Sequence, residues 1–158
     1  MPEIAPEPSA AECLDRSRSA VLNILVGVGL MIAVSGWILG HHAPEVALPW
    51  SPAAARRATF VALALVVTVA YTILRVVAGR EALRDPGRRA ARFFRGRVIA
   101  AGVAGLAVPL GFAYGWWVDP RLEAIAPFWV AALGLGFLAL PRGHELDDFE
   151  EPMAREPA

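Results

Sequence analysis

Four long runs of apolar residues divide the chain. They extend over residues 20–39, 58–78, 98–118 and 124–140, and only the second contains a charged residue, Arg75. An α-helix rises about 1.5 Å per residue and the hydrocarbon core of a bilayer is about 30 Å thick, so about 20 residues suffice to cross it. The first three runs reach this length and the fourth is shorter. The pattern therefore predicts four membrane-spanning segments.

The spanning segments must be helices, because backbone groups without hydrogen-bond partners cannot face lipid. A transmembrane β-barrel would need alternating polarity, and these runs are continuously apolar. We predict an all-α, four-helix transmembrane bundle with spans at about residues 20–40, 58–79, 97–118 and 121–140. Residues 1–19, with three prolines and scattered acids, are predicted to form a disordered tail, and residues 141–158 an acidic tail.

Prolines mark the starts of two predicted helices and a break in one of them. Asp85-Pro86 and Asp119-Pro120 combine an N-cap residue with a proline, so they predict the starts of the third and fourth helices. Pro109 lies inside the third span and has no N–H to donate, which predicts a kink. Three prolines in residues 41–55 argue against a continuous helix and predict a loop along the outer surface, held by Trp50.

Arginine is distributed unevenly, and this distribution predicts the orientation. The chain has fifteen arginines and no lysine, and twelve of the arginines would share one side of a four-span bundle with both termini. The other side would hold three: Arg56, Arg57 and Arg121. Because cytoplasmic segments collect positive residues, we expect both termini and the middle loop to be cytoplasmic. Tryptophans favour the opposite, outer boundary, where four of them would lie: Trp37, Trp50, Trp116 and Trp117.

Composition narrows the functional classes. The chain is 56% hydrophobic and has zero net charge, which argues against a nucleic-acid-binding protein. Its single cysteine, Cys13, excludes an internal disulfide and is expected in a reducing compartment. No aspartate, glutamate or histidine lies deep in a predicted span, which disfavours proton-coupled carriers and haem-binding subunits. We expect no cofactor.

Small residues recur at helical spacing in three spans. One face of the first helix carries Gly29, Ala33, Gly36 and Gly40. One face of the third carries Ala101, Ala104, Val108, Gly111 and Gly115, and one of the fourth carries Ala132, Gly136 and Ala139. Membrane helices approach closely along such faces. The pattern predicts either packing within the bundle or docking of a partner helix.

A polar stripe runs along the second span. Thr68, Thr72 and Arg75 follow at helical spacing, Tyr71 lies beside them, and Asn23 of the first span would lie at a similar depth. In one interpretation, Arg75 extends to the membrane surface while the threonines bond to backbone carbonyls. In the other, Asn23, Tyr71, Thr72 and Arg75 form a cytoplasm-facing pocket that holds an anionic group.

Eight arginines lie from Arg75 to Arg97, and three of them, Arg88, Arg92 and Arg95, share a face of a predicted helical extension. They either contact lipid headgroups or serve only to set the topology. A third possibility is that the acidic tail, with six acids against two arginines, folds onto this basic segment.

His41, His42 and Glu45 are weak candidates for metal ligands, and the alternative is a solvated outer loop. His144 is predicted on the opposite side of the membrane and cannot join them.

These observations define no reaction. They favour a non-catalytic accessory, assembly or structural subunit of a larger bacterial membrane complex, in contact with membrane lipids and with a protein partner or further copies of itself. The alternative is a small homo-oligomeric transporter or channel with a polar site around Arg75. An enzyme acting on lipid at the cytoplasmic face is a third possibility.

Overall fold

Five α-helices and a short 3-10 helix make up the described part of the chain. The computed structural model describes residues 9–42, 51–77 and 86–145. The elements are α1 (Ala10–His42), α2 (Pro52–Val77), α3 (Pro86–Gly105), α4 (Ala107–Trp117), α5 (Leu122–Ala139) and the 3-10 helix Gly143–Glu145. Four segments are long and apolar enough to cross a membrane: α1, α2, α3 together with α4, and α5. An all-α fold with four candidate spans is thus confirmed, and the described residues contain no strand.

The third span, made of α3 and α4, lies at the centre of the bundle. α3 contacts α1, α2 and α5, while α4 packs mainly on α5. α1 and α2 hardly touch each other. The third span is therefore the most buried of the four, and α2 is the least buried.

Clusters of buried side chains show the direction of each span. Leu14 of α1 packs with Phe94 of α3 at one end of the bundle, and Leu39 packs with Tyr114 of α4 at the other. α1 and the third span therefore run in the same direction. Ile125, near the start of α5, joins the Tyr114 cluster, so α4 and α5 form the predicted antiparallel hairpin. We call these two ends the Phe94 end and the Tyr114 end.

The start of α1 differs from the prediction, because residues 10–19 are helical and do not form a disordered tail. The N–H of Glu12 donates to the hydroxyl of Ser9 at 3.2 Å, which caps the first turn. Leu14 and Ser17 are buried, and Leu14 packs against Phe94. This contact explains why the helix extends beyond its apolar run. Residues 1–8 lie outside the described residues.

The predicted surface loop 41–55 is shorter than expected, because α1 continues through His42 and α2 begins at Pro52. Ser51 supplies the cap, since its hydroxyl accepts the N–H of Ala54 at 3.3 Å. Pro52 then occupies the first helical position, where a missing N–H costs nothing. Trp50 and the rest of residues 43–50 lie outside the described residues.

The third span is interrupted one turn before Pro109, as predicted. α3 ends at Gly105, and Leu106 keeps helical dihedral angles (φ −64°, ψ −16°) before α4 begins at Ala107. The N–H of Leu106 donates to the carbonyl of Val103 at 3.1 Å, which tightens the turn. Pro109 has no N–H for the carbonyl of Gly105, so the regular hydrogen-bond pattern cannot continue here. α3 itself begins at Pro86, where the Asp85-Pro86 signature predicts its start.

The turn between α4 and α5 differs from the prediction, because Asp119 is not the N-cap of α5. Arg121 occupies that position in an extended conformation, without a capping side chain. The N–H of Asp119 bonds back to the carbonyl of Tyr114 at 3.1 Å, which keeps Asp119 at the end of α4. Its carboxylate accepts the Arg121 side chain at 2.9 Å and backbone N–H at 3.2 Å. These bonds lower the pKa of Asp119.

Candidate functional site

Arg75 pairs with Tyr71 on the exposed face of α2. The guanidinium Nε donates to the tyrosine Oη at 2.8 Å, and its central carbon lies 5.3 Å from the ring centre. Thr72 is exposed beside this pair, and Asn23 is exposed on α1. In the described part of the chain, α1 and α2 hardly touch. The described contacts join Tyr71 and Arg75, and a pocket that also includes Asn23 and Thr72 stays a prediction.

Thr68, one turn before Thr72, donates its hydroxyl to the carbonyl of Ala64 at 2.8 Å. In the first interpretation of the polar stripe, the threonines bond to backbone carbonyls, and Thr68 does so. The stripe lies on the surface of the bundle, on α2, the span that the other described residues cover least.

Gly111 and Gly115 of α4 pack closely against neighbouring helices. A β-carbon on Gly111 would lie 2.7 Å from Cβ of Phe128 in α5, which is too close for two carbon atoms. A β-carbon on Gly115 would lie 2.6 Å from Ile125 and 2.7 Å from Leu39. The small-residue face of the third span is therefore used within the bundle.

The small-residue face of α1 is different, because most of it is unfilled. Gly29, Ala33 and Gly40 are exposed, and no atom of the described residues lies within 4 Å of a β-carbon placed on either glycine. Gly36 is the exception, since its β-carbon would lie 3.4 Å from the ring of Trp129. Packing within the bundle therefore accounts for one of these four residues.

Arg97 of α3 and Glu145 of the 3-10 helix form an ion pair at the Phe94 end. Their side chains are 16% and 10% exposed, so the pair is largely removed from solvent. The Arg97 Nη2 group donates to Glu145 Oε1, and the second Glu145 oxygen accepts the N–H of Arg142 at 3.2 Å. The guanidinium also lies 5.0 Å from the ring centre of Phe93.

Arg97 also completes the end of α5. Its Nη1 group donates to the carbonyl of Leu138 at 2.9 Å. Carbonyls in the last turn of a helix have no partner within that helix, so a side chain from another helix satisfies one of them here. Arg97 thus links α3, α5 and the segment after α5 in one set of contacts.

The remaining arginines of the basic segment are placed differently. Arg92 and Arg95 are exposed on α3. Arg88 lies in the first turn of the same helix, and its side chain is outside the described residues. Among the described residues, the tail meets the basic segment through Glu145 and Arg97, and Arg92 and Arg95 are exposed.

The two adjacent histidines lie at the end of α1, where both pack on Trp37. The His41 ring is stacked on it at 5.1 Å, and its Nδ1 lies 2.8 Å from the carbonyl of Trp37. The His42 ring meets the same indole edge-on at 5.9 Å. Glu45 lies outside the described residues. Within the described ranges, no three acidic, histidine or cysteine residues converge as a metal site would require.

The Arg97–Glu145 pair is the contact that sequence reasoning did not single out. A signal for it exists, because Arg97 is the last charge before the third apolar run and Glu145 is the first acid after the fourth. In an antiparallel hairpin these two positions meet at the same end. The sequence does not show which of the eight neighbouring arginines turns inward.

No protein-family model matches the chain, and no curated protein or solved structure is significantly similar to it.

Proposed function

We propose that the protein is a non-catalytic accessory, assembly or structural subunit of a larger complex in the bacterial inner membrane. The observation that carries this proposal is the unfilled face of α1 formed by Gly29, Ala33 and Gly40. In membranes, helices associate by close packing along small residues, because lipid removes the hydrophobic driving force between them. The corresponding faces of α4 and α5 are filled by neighbouring helices. An unfilled one favours a helix from another subunit.

Both termini are placed in the cytoplasm under this proposal. The Phe94 end carries most of the described arginines, including Arg92, Arg95 and Arg97, whereas the Tyr114 end carries Arg56, Arg57 and Arg121. This asymmetry matches the excess of positive residues on cytoplasmic segments. The first turns of α3 would then form a basic cytoplasmic extension, in which Arg88, Arg92 and Arg95 meet anionic headgroups.

The test is native mass spectrometry of the full chain, purified from its own membrane in mild detergent. We expect a complex of fixed stoichiometry with at least one other protein. Gly29→Leu should remove the partner, because the leucine fills the open face of α1. Gly27→Leu is the matched control, since Gly27 is also exposed with open space but lies about 200° round the helix, on the side nearly opposite Gly29.

Retention of the partner in Gly29→Leu, or recovery of the wild-type chain without any other protein, contradicts the subunit proposal. Circular dichroism of both variants shows whether the helices are intact. Both positions are exposed, so we expect no loss of helix.

A second candidate, a homo-oligomeric transporter or channel, is favoured by one observation. The Tyr71–Arg75 pair and Thr72 lie exposed on α2, the least covered span, where a second copy would bury them. This candidate predicts an oligomer of this chain alone in the same spectra. Arg75→Leu should then change transport in reconstituted vesicles without changing the helical content.

A further inference from the structure

A cleft with positive charge opens at the Tyr114 end, between the first turns of α2 and the end of α4. It has a volume of about 320 Å³, within the range of about 300–1,000 Å³ that is usual for small-molecule sites. Its lining includes Ala53, Arg56, Arg57, Tyr114, Val118 and Asp119.

The acid in this cleft is already neutralised. The Arg121 guanidinium holds Asp119 with two parallel bonds, Nε to Oδ1 at 2.9 Å and Nη2 to Oδ2 at 2.7 Å. Arg56 and Arg57 are exposed and form no ion pair with the described residues. Asp119 also attracts Arg56, but among the described residues that line or adjoin the cleft, Arg56, Arg57 and Arg121 outnumber this one acid, so the cleft keeps an excess of positive charge.

An apolar groove of about 270 Å³ continues from the cleft and shares Tyr114 and Val118 with it. It runs between α2 and α4, where α2 contributes small side chains: Ala55, Ala58 and Ala62. Thr59 also lines the groove, but its hydroxyl already donates to the carbonyl of Ala55 at 2.8 Å. Apart from this hydroxyl, the Tyr114 hydroxyl and the Trp117 indole N–H, the lining of the groove is apolar, and the groove opens on the outer surface of a membrane-spanning helix.

We propose that the cleft and groove together bind one anionic phospholipid, with its phosphate between Arg56 and Arg57 and one acyl chain in the groove. The cleft and the groove follow each other as the headgroup and the acyl chain of a bilayer lipid do. The charged cleft lies at the helix end, and the apolar groove extends toward the middle of the span. Guanidinium groups bind phosphate oxygens with strong, charge-assisted hydrogen bonds. A small soluble anion would leave the groove unused, and an apolar partner helix would leave both arginines unpaired. The site is independent of the subunit function proposed above.

The test is native mass spectrometry of the purified full chain in detergent, titrated with phosphatidylglycerol and separately with inorganic phosphate. We expect one tightly retained phosphatidylglycerol, and a loss of affinity of about tenfold or more in Arg56→Gln/Arg57→Gln, since each cation near a lipid phosphate contributes substantially. Arg16→Gln/Arg18→Gln, which removes two exposed arginines at the other end, should bind as the wild type does.

A second pair of variants tests the acyl-chain groove. Ala58→Phe should fill it and weaken phosphatidylglycerol binding to a similar degree. Ala64→Phe is the matched control, because Ala64 is exposed on α2 but does not line the groove. Circular dichroism verifies that all variants keep their helices.

Three results would overturn the proposal. Equal loss in Arg16→Gln/Arg18→Gln would show unspecific charge attraction. Displacement by inorganic phosphate, with no effect of Ala58→Phe, would show a site for a small anion without a lipid chain. A dimer of this chain that Ala58→Phe abolishes would show that a second copy fills the groove.

Discussion

At the scale of single residues, the glycines of the bundle differ in the atoms that a β-carbon would meet. At Gly111 the nearest of these atoms is Cβ of Phe128, which cannot move unless the α5 backbone moves. At Gly115 they include terminal methyl groups of Ile125 and Leu39, which can rotate away. At Gly29 no atom of the described residues lies within 4 Å. The same residue type therefore has a different role at each position.

Alanine substitutions should separate these roles. We expect Gly111→Ala to lower the free energy of unfolding by about 1–3 kcal/mol, as overpacked core sites do. Gly115→Ala should have a smaller effect. Gly29→Ala should be neutral or slightly stabilising, because alanine favours the helix over glycine by up to about 1 kcal/mol. Denaturant titration in detergent micelles measures all three, and equal losses at Gly29 and Gly111 would contradict the packing described.

The ion pair between Asp119 and Arg121 should make the thermal stability of the protein depend on pH in the acid range. The pKa of Asp119 lies below its ordinary value of 3.8, chiefly because the Arg121 side chain donates to its carboxylate. A carboxylate with a lowered pKa stabilises the fold above its unfolded-state pKa, and this contribution is lost as the pH falls through the folded-state value. We therefore expect the difference in thermal midpoint between wild type and Asp119→Asn to shrink below about pH 4.

The control for this pH series is Glu123→Gln, which removes an exposed acid from the start of α5. The difference in thermal midpoint between Glu123→Gln and the wild type should change less over the same pH range. Parallel pH curves for wild type and Asp119→Asn would rule out the contribution of this ion pair.

At the scale of elements, α1 depends on contacts outside its apolar run. Its first turns pack on α3 and begin at the Ser9 cap. We expect Ser9→Ala to destabilise this end by about 1 kcal/mol. Hydrogen–deuterium exchange should become faster at Glu12 and Cys13 and stay unchanged near Val28. Ser19→Ala, an exposed serine within the same helix, should leave the exchange at Glu12 unaltered, and an equal effect of both variants would argue against the cap.

The Arg97–Glu145 pair connects α3 to the segment after α5, so its loss should affect the whole Phe94 end. Glu145→Ala leaves a largely buried guanidinium without a counter-charge, and we expect a destabilisation of about 3 kcal/mol. The double variant Arg97→Leu/Glu145→Leu should recover part of the lost stability, because no charge then remains unpaired. Thermal unfolding of the three proteins measures the difference.

The control for this pair is Glu12→Ala, which breaks an exposed pair with Arg16 at 4.0 Å. Exposed pairs contribute about 0–1 kcal/mol, so this variant should differ little from the wild type. If Glu145→Ala destabilises the protein no more than Glu12→Ala does, the Arg97–Glu145 pair does not stabilise the protein.

At the scale of the whole molecule, the number of apolar spans could be predicted because it rests on local properties. Run length, continuous hydropathy and the missing N–H of Pro109 each depend on a short stretch of chain. The early start of α1 was also recognisable, since Ser9 and Glu12 have capping-box spacing and Leu14 and Ser17 continue the buried face. The scattered acids of this segment obscured that pattern.

The arrangement of the spans could not be predicted in the same way. Three spans carry small-residue faces, and the sequence does not say which of these faces meet. The structure packs Gly111 of α4 against Phe128 of α5 and Gly136 of α5 against Leu25 of α1, and it leaves most of the α1 face open. The expected pocket of Asn23, Tyr71, Thr72 and Arg75 assumed close contact between α1 and α2, and the described parts of these two helices hardly touch.

In the proposed topology, the chain crosses the membrane four times with both termini in the cytoplasm. Alkaline phosphatase fusions in living bacteria test this directly, since the enzyme is active only outside the cytoplasm. Fusion at Pro49 should give high activity, and fusions at Arg88 and at Arg142 should give background activity. Activity at Arg142 would show that α5 does not cross, and the reverse pattern at Pro49 and Arg88 would contradict the orientation.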